Sequence, residues 1–135
     1  MRLLLDTNVL LDLALARLPW AHDAAALLGM IERQQIEGYV ASHALTTAYY
    51  VVARARDRRV AAGATADLLR LLRVVPLETA DFQQALALGI PDFEDAVHAV
   101  AGLKVGADYI VTRNERDFRT APIVARSAGE VLALI

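Results

Sequence analysis

Short aliphatic runs separated by longer stretches of helical spacing constrain this chain more than any other feature. Strands are predicted at Arg2–Leu5, Tyr39–Ala41, Val74–Leu77, Tyr109–Thr112 and Ile123–Ala125. Between them Ala24, Leu27, Leu28 and Ile31 recur at helical intervals, as do Leu45, Ala48, Tyr49 and Val52, then Leu68, Leu69 and Leu72. Phe82, Ala85 and Leu86 mark a further helix closed by Gly89, and Phe93, Ala96, Val97, Val100 and Leu103 mark the next. A last helix follows Ser127 and carries Val131, Leu132 and Ile135. Each stripe gives a helix one face to lay on a sheet, and the alternation is that of an α/β fold: a mostly parallel sheet of about five strands flanked by helices.

At 135 residues the chain is expected to form one domain over residues 1–135, with a core large enough to need no disulfide or structural metal. No repeat, low-complexity tract or linker interrupts it, the nearest thing being a small-residue bend around Ala61–Ala64. Cysteine is absent, which excludes thiolate zinc sites and a thiol nucleophile and suits a reducing cytoplasm. Arg2 and the leucines after it look like the start of a secretory signal, but Asp6, Asn8 and Asp12 break the apolar segment such a signal requires. No stretch approaches the roughly 18 apolar residues of a membrane span, so a soluble, cytoplasmic protein is expected.

The first strand poses the chemical question. In LLLDTNVL a carboxylate, a hydroxyl and an amide stand where a buried strand ends, and charge there is costly unless it is paired, metal-bound or open to a cleft. In a parallel sheet, Asp6 and Ser42 lie at the carboxyl edge, Ser42 as the expected cap of the next helix, with Thr46 and Thr47 in its first turns. The helix of the Phe93 stripe runs into the fourth strand, so its start, with Asp92, Glu94 and Asp95, lies at that edge too. Thr112, Asn114 and Asp117 follow the strand's exit. Open α/β sheets place their sites along this edge. Asp92 and Glu94 suit the helix macrodipole and are read first as capping acids. Asp95, beside Ala96, leans toward the sheet and toward Asp6, and two such carboxylates call for a hard divalent cation, Mg²⁺ or Mn²⁺. A buried acid pair satisfied by Arg, Ser and Thr is the alternative. His22, His43 and His98 lack metal-ligand spacing; the first two are expected in surface or capping roles, and His98, one turn after Asp95, in solvent rather than in contact with that carboxylate, the alternative.

The formal net charge of −2 gives no global field for nucleic acid. Thirteen of the fourteen cationic residues are nevertheless arginines, clustered at Arg54, Arg56, Arg58 and Arg59 and again at Arg113, Arg116 and Arg119. Guanidinium forks suit phosphate, and solvated helix faces would explain them equally. The hydrophobic content of 56% hints at apolar surface covered by another subunit.

Together LLLDTNVLLD, DFEDAVHAVAG and YIVTRNERDF resemble a PIN domain, the fold of metal-dependent ribonucleases, and the length and motif spacing are similar to those of VapC-like toxins of toxin–antitoxin pairs. The resemblance implies Asp6 and Asp95 as metal-binding acids, Asn114 at the fourth acidic position with Asp117 a turn later, and Asn8, Ser42 and Thr112 as supports. It implies an RNA substrate held by Arg113, Arg116 or the cluster beginning at Arg54, a homodimer, and an antitoxin partner. Where the family carries a Glu in the helix after the second strand, this chain has Thr47, within LTTAYY. Two further readings stand beside the ribonuclease. A non-catalytic PIN-like protein would grip RNA or a partner peptide in the same groove, and Thr47 speaks for it. A phospho-receiver-like regulator would need a Lys beyond a late strand, whereas the only Lys, Lys104, lies within a helix at the opposite edge.

Overall fold

The structure, a computed structural model, describes residues 1–135. Five strands, β1 (Arg2–Leu5), β2 (Glu37–Ala41), β3 (Arg73–Val75), β4 (Tyr109–Val111) and β5 (Ala125–Arg126), form one sheet in the order β3-β2-β1-β4-β5. Every pairing is parallel. Seven helices connect them: α1 (Thr7–Ala14), α2 (Trp20–Glu32), α3 (Ser42–Ala55), α4 (Arg58–Leu71), α5 (Thr79–Ala87), α6 (Phe93–Lys104) and α7 (Ala128–Ala133). No helix is long and apolar enough to cross a membrane.

Parallel strands covered on both faces read as continuous apolar runs, which is why Leu3, Leu4 and Leu5 are all inaccessible to solvent. Side-chain alternation divides them. Leu3 and Leu5, with Val40 and Val111, meet Val9, Leu10, Leu27, Ala44 and Leu68 on one face. Leu4, with Tyr39 and Ile110, meets Ala85, Ala96, Val97 and Val100 on the other. Each buried leucine contributes about 1.5–3 kcal/mol relative to exposure. Gly102 lets α6 lie close to the sheet: a Cβ there would stand 2.6 Å from Ile123 Cδ1.

The architecture is the expected one, with local differences. α1 had no counterpart in the sequence reading; it starts directly after β1 because Asp6 acts as its N-cap, accepting the Thr7 backbone N–H at 2.7 Å. β3 stops at Val75 instead of reaching Leu77, since Pro76 has no N–H to donate to a ladder. β5 pairs at Ala125 and Arg126, while Ile123 is buried just before it. Ala61–Ala64 is no bend but the interior of α4, capped by Asp57 and carried by alanine's helix propensity. α3 begins at Ser42 itself, with Ala41 in the cap position and no side-chain cap bond, so Ser42 is not the cap the sequence suggested.

The chain runs outward from β1 through β2 to β3, then returns to place β4 on the other side of β1. The strand order therefore reverses beside β1, and the carboxyl ends of β1 and β4 open on the crevice where doubly wound sheets bind ligands. Asp6 and Thr112 are the residues that leave those two ends.

Candidate functional site

Asp6 is only 6% exposed, so its carboxylate must be met by the fold. The Thr112 hydroxyl donates to Asp6 Oδ2 at 2.8 Å, across the point where the strand order reverses. Asp6 Oδ1 takes the Thr7 N–H and lies 3.2 Å from His98 Nε2. No lysine or arginine pairs with it.

Thr112 is also the point where the loop after β4 is tied down. Its hydroxyl accepts the Asn114 backbone N–H at 3.0 Å and faces Asn8 Nδ2 at 3.4 Å. Asn114, exposed, leads into a short 3-10 helix, Glu115–Phe118, whose Asp117 N–H bonds back to the Asn114 carbonyl at 3.0 Å. Asn8 Oδ1 is left buried without a partner.

Asp95 arrives from the first turn of α6, where Asp92 caps the helix by accepting the Asp95 N–H at 3.0 Å, the role the sequence suggested. Burial, then the carboxylates of Asp92, Asp6 and Asp117, pushes the Asp95 carboxyl up to about 7. Asp6 and Asp117, from two other elements, thus lie close enough to Asp95 to disfavour its charge. Beside them a cleft of about 430 Å³ is lined by Pro91, Asp92, Asp95, Arg116, Asp117, Arg119 and Thr120.

Two residues fall elsewhere. Arg113 leaves the cleft: its Nε lies 2.9 Å from Asp12 Oδ2 and its guanidinium sits 4.2 Å over the Trp20 ring, so both its charge and its flat face are already engaged. Arg54 lies in the last turn of α3. α3 begins at the carboxyl edge, so twelve residues at 1.5 Å each put Arg54 about 18 Å from that end. Arg116 lines the acidic cleft. Thr47 is half-buried and its hydroxyl bonds the His43 carbonyl of its own helix at 3.2 Å.

His98, expected in solvent, is fully buried. It follows Asp95 by three residues on the face of α6 turned to the sheet, and besides Asp6 its Nε2 meets the Thr7 hydroxyl at 3.1 Å and Glu94 Oε1 at 3.8 Å. His43 is neither a cap nor a surface residue: its ring lies against His98 with centroids 4.6 Å apart, and both its nitrogens are buried without partners. Burial first, then nearby His98, brings its pKa down to about 4, so it is neutral at physiological pH. Glu94 is more than a helix-start acid, since it accepts the Thr7 hydroxyl at 3.1 Å, and His98 and that hydroxyl hold its carboxyl below the usual range. The i,i+4 spacing of Glu94 and His98 on an acid-starting helix was the available signal; His43 lies 51 positions earlier, and only the fold joins it to them.

The donor set suits a divalent ion. Asp6, Asp95 and Asp117 offer carboxylate oxygens with no lysine or arginine paired to them, and the orphaned Asn8 Oδ1 adds a neutral one.

A parallel sheet in this order, with acids gathered at its carboxyl edge, defines a class of α/β proteins, and the family follows from comparison. The sequence matches the PIN domain over residues 2–116, and the chain belongs to that family. No curated protein sequence matches it. Among solved structures, VapC20 of Mycobacterium tuberculosis, described as a sarcin-ricin loop cleaving toxin, superposes with a TM-score of 0.72 at 19% identity, over 90% of this chain and 96% of that one. A chain of VapBC2 from Rickettsia felis, bound to a DNA fragment from their promoter, gives 0.72 at 15% identity, over 94% and 98%. A chain of FitAcB from Neisseria gonorrhoeae gives 0.69 at 18% identity, over 94% and 98%. At these identities the likeness is one of fold.

Proposed function

We propose that this protein is a metal-dependent endoribonuclease, the toxin of a toxin–antitoxin pair, hydrolysing RNA phosphodiester bonds at the edge where β1 and β4 end. The observation that carries the reading is the convergence of Asp6, Asp95 and Asp117 from three elements with no lysine or arginine paired to any of them. Carboxylates collected at that electrostatic cost suit Mg²⁺ or Mn²⁺, with Asp6 and Asp95 as its ligands and Asp117, Asn114 and Asn8 in support. Such an ion lowers the pKa of a bound water and stabilises charge on a phosphodiester.

The chain's own groups have separable tasks. The Thr112 hydroxyl and Thr7 N–H fix the direction of the Asp6 carboxylate, and the Asn114 N–H ties the loop bearing Asp117 to that same hydroxyl. Arg116 and Arg119 line the cleft and can hold backbone phosphates through bidentate hydrogen bonds. Ser42 and Thr47, at the start of α3, flank this edge. Partnership with an antitoxin, assembly as a homodimer and a cytoplasmic location belong to the same proposal, and the likeness to chains from VapBC2 and FitAcB supports the first.

Thr47 favours a second reading. A hydroxyl bonded within its own helix replaces the carboxylate that the family usually carries there, as expected of a chain that binds RNA or a partner without cleaving it. Incubating purified protein with a structured RNA, with and without Mn²⁺, distinguishes the two. The nuclease reading expects metal-dependent cleavage that Asp95→Asn abolishes. Retention of RNA without cleavage by the wild type at saturating Mn²⁺ sinks it in favour of binding alone.

A further inference from the structure

Beside the acidic cleft lies a second cluster of a different chemistry. His43 from the first turn of α3 and Glu94 and His98 from consecutive turns of α6 bring one ligand atom each within 4.8 Å of one another. We infer that His43, Glu94 and His98 form a site for a zinc-class divalent ion, adjoining the all-oxygen set of Asp6, Asp95 and Asp117, since His98 Nε2 also lies 3.2 Å from Asp6 Oδ1.

The first argument is one of unmet polarity. Three of the four ring nitrogens in the two facing imidazoles, both of His43 and Nδ1 of His98, are buried with no hydrogen-bond partner. Buried polar atoms are rarely left so, and two such rings packed 4.6 Å apart deepen the cost. An ion bound by a ring nitrogen of His43 removes part of that deficit. A water could serve one nitrogen, but not all three of those left without partners.

The second argument is geometry. Metal–ligand distances of about 2.0–2.2 Å need the three donor atoms drawn together by roughly 1 Å from their present limit of 4.8 Å. His98 is fixed in the core, whereas the Glu94 side chain is 44% exposed and can give up its bond from the Thr7 hydroxyl to turn over it. The same exposure provides the entry path for the ion and leaves room for water in the remaining positions.

The third is ligand type. Two imidazoles and one carboxylate form a borderline set that binds Zn²⁺, Co²⁺ or Ni²⁺ in preference to Mg²⁺, which favours oxygen. His43 stands one helical turn before Thr47 on the same face of α3, so the ligand that α3 contributes is a nitrogen where the resembling family has a carboxylate. The site needs no RNA, and it stands or falls independently of the ribonuclease reading.

Cobalt serves as the probe, because nitrogen-ligated ions of low coordination number absorb visible light far more strongly than six-coordinate oxygen-bound ones. The full chain, freed of metal by chelation, is titrated with Co²⁺, and the bands are then challenged with Zn²⁺ and with Mg²⁺. One equivalent of Co²⁺ should give strong visible bands, which one equivalent of Zn²⁺ removes and excess Mg²⁺ does not. His43→Asn and Glu94→Gln should each weaken Zn²⁺ binding by calorimetry by about tenfold or more, while Asp95→Asn and Asp117→Asn keep the bands. Both of the first two variants alter side chains outside the fully buried core, and circular dichroism confirms their folding. Absence of strong bands in the wild type overturns the inference. So does a spectrum that survives His43→Asn and disappears in Asp95→Asn, since the ion would then sit among the carboxylates. Loss of RNA cleavage in Asp95→Asn with the cobalt bands intact supports both sites, as separate ones.

Discussion

Asp6 caps α1 and Asp12 lies within it, six residues apart, and both are withdrawn from water, at 6% and 1% exposure. The fold answers them differently. Asp12 is met by Arg113 at 2.9 Å, itself stacked on Trp20, so that a cation from the loop after β4 is built in to match it. Asp6 receives only neutral donors and the His98 ring, while Asp95 and Asp117 add further negative charge nearby. Asp12 is held by a built-in ion pair, whereas Asp6 is held by neutral groups and the His98 ring, with no lysine or arginine bonded to it. The two acids differ in what approaches them through space.

That contrast can be broken at either end, and the largest effect belongs to the paired acid. Arg113→Ala should leave Asp12 buried with only the more distant charge of Arg17 to offset it, at a cost of about 3 kcal/mol. The melting temperature should fall accordingly and be indifferent to Mn²⁺. A variant rescued by Mn²⁺ would mean that Asp12 also belongs to the ion site.

Asp95→Asn should act in the opposite direction. Removing one of the mutually repelling charges should stabilise the metal-free protein at pH 8 by about 1–2 kcal/mol, after discounting for solvent screening. It should also abolish the thermal shift caused by Mn²⁺ in the wild type. Equal melting temperatures for wild type and variant under chelation, with the metal response retained, would remove Asp95 from the site.

The same repulsion sets the pH dependence of the metal-free wild type. The Asp95 carboxyl titrates at about 7 folded against 3.8 unfolded, so the folded form binds its proton more tightly. The associated stability is fully present below the unfolded value and is lost as pH rises through about 7. Urea midpoints between pH 4.5 and 8 should therefore decline under chelation, by about 1 kcal/mol from this group, and the decline should be absent in Asp95→Asn. With saturating Mn²⁺ the slope should reverse, because a bound ion requires the ionised carboxylate.

Thr47→Glu should give the smallest change in stability with metal present. Under chelation the added carboxylate should lower the melting temperature, and Mn²⁺ should restore it. A variant that is destabilised and unresponsive to metal would show that Thr47 packs against its surroundings and that no carboxylate at this position reaches the ion.

Much of this was legible in the chain. The alternation of aliphatic runs and helical stripes announced a parallel α/β sheet because period and length are local properties, and the parallel topology alone carried Asp6, Asp95, Thr112 and Asp117 to one edge. The DTN, FED and TRN segments pointed to a PIN domain on side-chain chemistry that needs no coordinates. Boundaries were less legible where one backbone atom decides: Pro76 ends β3, and Asp6 serves as a cap as well as an acid.

What the sequence by itself determined, then, was the order of the elements and the acids they deliver, since both follow from apolar periodicity and from a helix having to start where the preceding strand leaves the sheet. Only the tertiary structure decided the partners. Arg113 read equally well as a phosphate ligand until Asp12 and Trp20 stood against it, and His98 read as solvated until α6 turned it inward onto Asp6. His43 and Glu94, 51 residues apart, have no local pattern in common. Which charge meets which depends on distances between elements far apart in the chain, and packing sets those distances.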